Sequence, residues 1–254
     1  MMIKEDLFNE LVWLWILIGI VIFPIMLFVK VPYGRHTDKS WGATINNKLG
    51  WIIMELPALA VFMYFFMKGE KSQSAVVWVF FGFWLFHYVN RTFIYPLRTK
   101  TAKKQIPFLI VFLAIFFNSV NGFLNGYYFS ELHPNYDISW LYDARFIIGS
   151  LMFILGMTVN RIADRDLMNL RKPGETGYKI PQTKIFKLVS CPNHGGEMLE
   201  WAGFAVLTWS LPALAFAVWT VSNVLPRSLA HHKWYKNHFP DYPKNRKAVI
   251  PYIL

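Results

Sequence analysis

Six apolar stretches, residues 11–29, 49–67, 75–97, 106–128, 145–159 and 196–225, alternate with short polar segments along the chain. A helix needs about 20 apolar residues to cross a hydrocarbon core, so the pattern predicts membrane-spanning helices. Pro24 is expected to kink the first, and Glu55 and Pro57 interrupt the second. The second half of the third, HYVNRTFIY, is unusually polar for membrane depth. The longest polar segment, residues 156–201, reads GMTVNRIADRDLMNLRKPGETGYKIPQTKIFKLVSCPNHGGEMLEW and lies between apolar runs.

Charge sets the parity of the crossings. Lys and Arg gather in the loops after the first, third and fifth stretches and in the closing tail, RSLAHHKWYKNHFPDYPKNRKAVIPYIL. The amino terminus and the fourth loop, SELHPNYDISWLYD, are acidic. The charge bias of cytoplasmic loops then puts the amino terminus outside and the carboxy terminus in the cytoplasm, which requires an odd number of crossings. Residues 196–225 must be traversed twice, with the break near Pro212, where one helix stops and the next starts. The expectation is an all-α integral membrane protein with seven transmembrane helices and no internal repeat. Residues 1–10 carry one Lys against Glu5, Asp6 and Glu10, and no small-residue cleavage site follows, so the first helix is expected to be retained.

Composition agrees: 55% of the 254 residues are hydrophobic and 16% charged, with 23 Phe and 11 Trp, outside the usage of soluble domains. The net charge of +11 lies in short loops between apolar spans rather than on one soluble face, which argues against nucleic acid as a partner. Cys191 is the only cysteine, so there is no intrachain disulfide and no cysteine-rich metal site.

Several polar side chains sit where an apolar span would not ordinarily carry them. Glu55 lies within WIIMELPALAVF, where a carboxyl group must be protonated or partnered, and an ionisable residue at such depth marks a functional site. On the third span Tyr88, Thr92 and Tyr95 share one helical face, and His87 and Arg91 a neighbouring one. A phenol and a neutral carboxylic acid in an apolar cavity would donate hydrogen bonds to a carbonyl and stabilise negative charge developing on it. Asn118, Asn121 and Asn125 form a stripe beside Gly122 and Gly126; helix packing accounts for the glycines, while the amides could line a cavity or hold a cofactor amide.

Asn160 and Asp164 are one turn apart, as are Arg161 and Arg165, and Arg227, His231 and Tyr235 repeat every four residues. With Asn193, Glu197 and Glu200 they suit a phosphate-bearing ligand with ribose hydroxyls. The chain contains no G-x-G-x-x-G and no GKT or GKS loop, so any dinucleotide is held without a Rossmann or P-loop cradle. His231 and His232 lack the further ligand spacing of a zinc site, and no metal is expected.

From about Trp51 onward the chain resembles the steroid 5-alpha-reductase family. The strings that carry the resemblance are ELPALAVF, HYVNRTFIYPL, NGFLNGYY, ARFIIG, FILGM, NRIAD, LRKPGETGYKIPQ, NHGGEMLEW, TWSLPALAFA, HHKWY, FPDYPKNRKA and VIPYIL. The resemblance implies a seven-helix membrane enzyme that uses NADPH to reduce the C4–C5 double bond of 3-oxo-Δ4 steroids, hydride going to C5 and a proton to C4. Glu55 and Tyr88 match the pair that polarises the C3 ketone. Asn160, Asp164, Arg171, Tyr178, Asn193, Glu197, Arg227, His231 and Tyr235 match cofactor positions, and Trp201 lies where nicotinamide and steroid meet. Asn118 and Asn121 are assigned to the substrate pocket. His194, Asn90 and the first span depart from the better-known animal members, which bears on steroid selectivity rather than on the chemistry.

On this basis residues 1–254 form one membrane-embedded reductase domain, with residues 196–254 closing the cofactor site. The expected partners are a steroid or other lipid enone and membrane lipid, with the protein a monomer. The expected location is a bacterial inner membrane, or the endoplasmic reticulum membrane if the source is eukaryotic, with the cofactor site facing the cytoplasm. A reductase acting on enoyl-CoA or polyprenol is the nearest alternative. An integral membrane methyltransferase is a further one, but the R-H-P-x-Y arrangement associated with that class is missing. A transporter would carry repeated halves with paired broken helices, and one break is evident.

Overall fold

The computed structural model describes residues 3–29, 41–69, 74–101, 104–133, 136–171, 175 and 177–254. The helices are α1 (Glu5–Phe28), α2 (Asn47–Lys68), α3 (Ala75–Val89), α4 (Tyr95–Arg98), α5 (Phe108–Tyr127), α6 (Ala144–Asn169), α7 (Pro192–Thr208) and α8 (Leu211–His238). Among the described residues four helical segments are long and apolar enough to cross a membrane: Glu5–Phe28, Asn47–Lys68, Phe108–Leu132 and Ala144–Asn169. The third apolar stretch is helical but not uniform, because a π-turn, Asn90–Ile94, joins α3 to α4. It falls on the polar half of HYVNRTFIY, consistent with the frequent placement of π-turns at functional sites.

Two further features differ from the sequence expectation. A short antiparallel ladder of β1 (Thr44–Asn46) and β2 (Gln105–Pro107) pairs Ile45 with Ile106, so the chain is mostly rather than wholly helical. Three-residue strands are too short to leave an alternation in the sequence. In addition, α6 continues ten residues beyond the apolar run ending at 159, carrying Asn160 and Asp164 on a continuous helix.

The chain divides into two compact units. The first comprises Met1–Trp13, Val31–Ile147 and Ser210–Ala213; the second comprises Leu14–Lys30, Ile148–Trp209 and Leu214–Leu254.

In the first unit α2 and α5 pack closely and in parallel, both leaving the β1–β2 ladder. A methyl group on Gly126 would come within 2.7 Å of the Phe62 carbonyl, so this helix pair requires glycine there. Asn121 and Asn125 donate to the carbonyls of Phe117 and Asn121 on their own helix, each at 3.1 Å. Buried Phe62 stacks on Trp84 of α3 at 4.5 Å.

In the second unit α6 and α7 approach at backbone distance. A methyl on Gly156 would meet the Glu200 nitrogen and lie 2.5 Å from the Gly196 carbonyl. Helix α7 ends at Thr208, capped by Trp209 in the left-handed conformation (φ 47°), and α8 begins at Leu211 with Pro212 second. The break near Pro212 is therefore present. The Trp219 indole of α8 donates to the Trp15 carbonyl of α1 at 2.8 Å. Beyond α8 the chain returns to pair beside α7: Ser190 and Cys191 amides donate to the Lys247 and Ala248 carbonyls at 2.8 and 3.0 Å.

Candidate active site

In the first unit two indole-to-carbonyl bonds fix the antiparallel register of α2 against the third helical stretch. Trp51 Nε1 donates to the Arg91 carbonyl at 3.2 Å, and Trp84 Nε1 donates to the Ala58 carbonyl at 3.0 Å. Between these two pins Glu55 falls opposite the His87–Tyr88 step. Each bond also satisfies a Trp N–H that packing between the helices would otherwise leave unpaired.

The Glu55 carboxyl group is held from two further directions. Arg91 Nε lies 3.7 Å from one oxygen, and Asn118 Nδ2 of α5 lies 3.5 Å from the other while donating to the Met54 carbonyl at 2.6 Å. The Arg91 guanidinium also sits over the rings of Trp51 and Tyr95, at 4.8 and 5.1 Å. An aromatic clamp of this kind offsets part of the cost of desolvating a cation. Tyr88 is 2% exposed and packs against Trp84 at 5.0 Å. The structure thus brings Glu55 and Asn118 together with Arg91, whose carboxyl partner the sequence reading did not identify, and buries Tyr88 on α3 against Trp84 and His87. Asn121 is buried but turns its amide back to its own helix.

In the second unit the close approach of α6 and α7 supports a buried amide relay. Asn160 Nδ2 donates to the Asn193 carbonyl at 2.9 Å, and Asn193 Nδ2 donates to Asp164 Oδ1 at 3.1 Å. Asn160 and Asp164 are 7% and 8% exposed. Fully buried Glu200 faces the charge of Arg161 across the same helix pair. Glu197 lies one turn beyond Asn193 on α7, and Trp201 one turn further, buried against Phe153 and Phe216.

Helix α8 presents Asn223, Arg227, His231 and Tyr235 at four-residue intervals. Asn223 Oδ1 is buried without a hydrogen-bond donor, and sequence reasoning missed this extension of the face. His231 packs near His194 of α7 at 5.7 Å, and His194 Nδ1 shares a hydrogen bond with Ser228 Oγ at 2.8 Å. Tyr235 stacks on Tyr242 at 5.4 Å. Arg171 Nη1 donates to the Gly177 carbonyl at 3.3 Å and lies 5.9 Å from the Tyr178 ring, which meets Trp234 of α8 edge to face. Residues 172–174 and 176 of the LRKPGETGYKIPQ string lie outside the described residues.

Two more buried groups close this region. Arg246, 3% exposed, donates to the Pro181 carbonyl at 3.2 Å and lies over the Tyr242 ring. Ser190 Oγ takes up the Tyr242 hydroxyl and His232 Nδ1, both at 2.6 Å. Burial pushes the His232 pKa below its ordinary value, reinforced by Lys236, Arg246 and Lys247, and pushes the Tyr242 phenol up. Among the described residues no group of His, Cys, Asp and Glu could hold a metal ion.

A donor set of guanidinium, amide, carboxylate and phenol groups matches the phosphates, ribose hydroxyls and carboxamide of a nicotinamide dinucleotide. The donorless carbonyl oxygen of Asn223 suits an amide N–H of that kind.

The family model for 3-oxo-5-alpha-steroid 4-dehydrogenase matches residues 104–254. The steroid 5-alpha-reductase DET2 of Gossypium hirsutum is 42% identical over 232 residues, covering 90% of both chains. The 3-oxo-5-alpha-steroid 4-dehydrogenase 1 of Bos taurus is 36% identical, covering 99% of this chain and 98% of the relative. Its Homo sapiens counterpart is also 36% identical, covering 99% and 97%.

Proposed function

From the premise that the chain belongs to the steroid 5-alpha-reductase family, and is an oxidoreductase acting on CH–CH groups, we propose that it reduces the C4–C5 double bond of 3-oxo-Δ4 steroids with NADPH. The observation that carries the reading beyond the family is the Glu55 carboxyl group, held by Arg91 and Asn118.

In this reading Glu55, a carboxylate paired with Arg91, takes up a proton from solvent as the ketone enters, and its O–H and the Tyr88 hydroxyl then donate to the C3 ketone oxygen, withdrawing electron density from the conjugated C4–C5 bond. As C5 accepts hydride, negative charge moves to that oxygen, and these donors strengthen with it. Arg91 adds a positive charge 3.7 Å from Glu55. A proton drawn from solvent then adds to C4 and restores the ketone. The buried aromatic walls, Trp84 and Phe62 among them, keep water from the ketone-binding end.

The nicotinamide cofactor supplies the hydride. Arg171, Arg227 and Arg161 would hold its phosphates, while Asn160, Asp164, Asn193, Asn223 and Glu197 would hold its amide and hydroxyl groups. Tyr178, His231 and Tyr235 would line its length, and Trp201 would border the reacting ring. Residues 196–254 close this site within one membrane-embedded reductase. The chain crosses its membrane seven times as a monomer, amino terminus outside, with the cofactor groups on the cytoplasmic side.

The test is NADPH oxidation by purified protein with progesterone or testosterone, the product identified by mass spectrometry. A product two hydrogens heavier supports the reading. NADPH binding without reduction of any 3-oxo-Δ4 steroid would move the substrate to another lipid enone, and failure to bind NADPH would overturn the reading.

A further inference from the structure

The segment 249–254 folds back on itself. The amides of Val249 and Ile250 both donate to the Leu254 carbonyl at 2.7 Å, and the Ile253 and Leu254 amides return to the Ile250 carbonyl at 3.2 and 3.0 Å. This curl is anchored from beneath. Ala248 and Val249 are buried, and the Val249 carbonyl would lie 3.1 Å from a methyl placed on Gly195, in the first turns of α7.

Its outer side is apolar and open: Tyr252 is 79% exposed and Ile253 76%, and Ile250 and Leu188 are also exposed. Leu188 adjoins through its carbonyl, which accepts from the Lys247 amide at 2.9 Å. Lys184 and Lys187 on the segment that runs into Leu188, and Lys244 on the return segment, are exposed, as is Asp241.

Tyr252 adds an independent sign of function. Its backbone is left-handed, with φ 65°, a conformation that is unfavourable for a bulky side chain. A tyrosine held there while exposed does not serve packing. Asn or Gly would relieve the backbone at no loss of core.

We propose that the outer face of this curl, Leu188, Ile250, Tyr252 and Ile253, docks with the exposed Lys184, Lys187 and Lys244 of the adjoining segments into an anionic lipid surface, that of the membrane the protein spans. Aromatic and aliphatic tips beside lysines match the headgroup boundary, where rings and hydrocarbon sink in and ammonium groups meet lipid phosphates. The location rests on the seven-crossing reading proposed above: there α7, which turns apolar within two turns of Pro192, enters the membrane, and the curl packed on its start lies at the membrane face. Docking there would hold residues 188–190 and 246–248 in place, with Ser190 and Arg246 among them.

The experiment uses the full chain in vesicles. In a Cys191→Ala background, Ile253→Cys carries an NBD fluorophore, and the protein is reconstituted into phosphatidylcholine with or without phosphatidylserine. The expected result is blue-shifted emission, quenching by lipids brominated near the headgroup and protection from aqueous iodide, all stronger with phosphatidylserine and reduced by Lys187→Glu with Lys244→Glu. Water-like emission open to iodide in both vesicles overturns the proposal, including the case in which a soluble protein rather than lipid covers the face. A second measurement needs no substitution: photoactivatable phosphatidylserine should label the peptide containing Tyr252 and Ile253 in the unaltered protein, and labelling confined to the spans overturns the proposal. Tyr252→Asn should reduce both signals without lowering thermal stability; lowered stability with unchanged signals would make Tyr252 structural and defeat the proposal.

Discussion

Arg91 Nε stands 3.7 Å from the Glu55 carboxyl group, reaching it from a π-turn rather than from a regular helix. Its guanidinium is clamped by Trp51 and Tyr95, so the ion pair has little freedom to swing. Arg91→Gln should therefore lower kcat on the order of tenfold, about 1.4 kcal/mol of barrier, with a smaller change in KM. Steady-state kinetics with a 3-oxo-Δ4 steroid measures it; a change confined to KM would make Arg91 a binding group only.

Tyr88→Phe removes a donor aimed at developing oxyanion charge, and Glu55→Gln exchanges an acidic O–H for the weaker amide N–H donor. Losses in kcat of about 10²–10³ are expected for such groups. Nucleotide affinity, followed by quenching of tryptophan fluorescence, should stay unchanged in both, which separates lost chemistry from lost folding.

Asp164→Ala leaves the Asn193 amide without its acceptor and should weaken nucleotide binding about 10–100-fold, the range for one hydrogen bond to a charged group, roughly 1.5–3 kcal/mol. Titration calorimetry on the detergent-solubilised protein reads this directly. An unchanged Kd would remove the amide relay from the cofactor site.

Gly156→Ala forces a methyl against the Glu200 backbone, where neither helix can yield without parting. The cost should be about 1–3 kcal/mol, typical of overpacking. Thermal denaturation checks it, and Gly82→Ala, where a methyl meets nothing within 4 Å, is the matched control.

His232 gives a pH dependence with a defined sign. Its folded pKa lies below the ordinary 6.5, so in the interval between the two the unfolded chain binds a proton that the folded one refuses. The stabilisation is complete above 6.5 and is lost as pH falls through the folded value. The melting temperature should decline on acidification, and His232→Gln, which keeps a partner for Ser190 without titrating, should flatten that decline.

The chain itself made much of this legible, and the reasons for the remainder are physical. Long apolar runs and the Pro212 break announce themselves because lipid permits few alternatives to helix. Glu55 and Tyr88 stood out as polar groups in oily segments. Arg91 was visible, but its pairing was not, since a π-turn shifts the helical face and no spacing rule anticipates one. Arg246 looked like part of a soluble basic tail, whereas the fold buries it beneath Tyr242. Asn223 continues the Arg227, His231 and Tyr235 repeat one step toward the membrane, and extending the count by four would have found it. The β1–β2 ladder rests on pairing between residues 59 to 63 positions apart, which no local pattern records.

That ladder also bears on how the protein is made. Residues 44–46 leave the ribosome well before residues 105–107, and until the second strand arrives the first has no partner. The face of α2 around Phe62, cut to receive Gly126, is meanwhile complete on one side only. Biogenesis must carry a half-built interface through the synthesis of α3 and α4, and the arrival of α5 is the step that makes the first unit a folded object. A substitution at Gly126 would then be felt first as failed assembly in the membrane, before any loss of turnover could be measured.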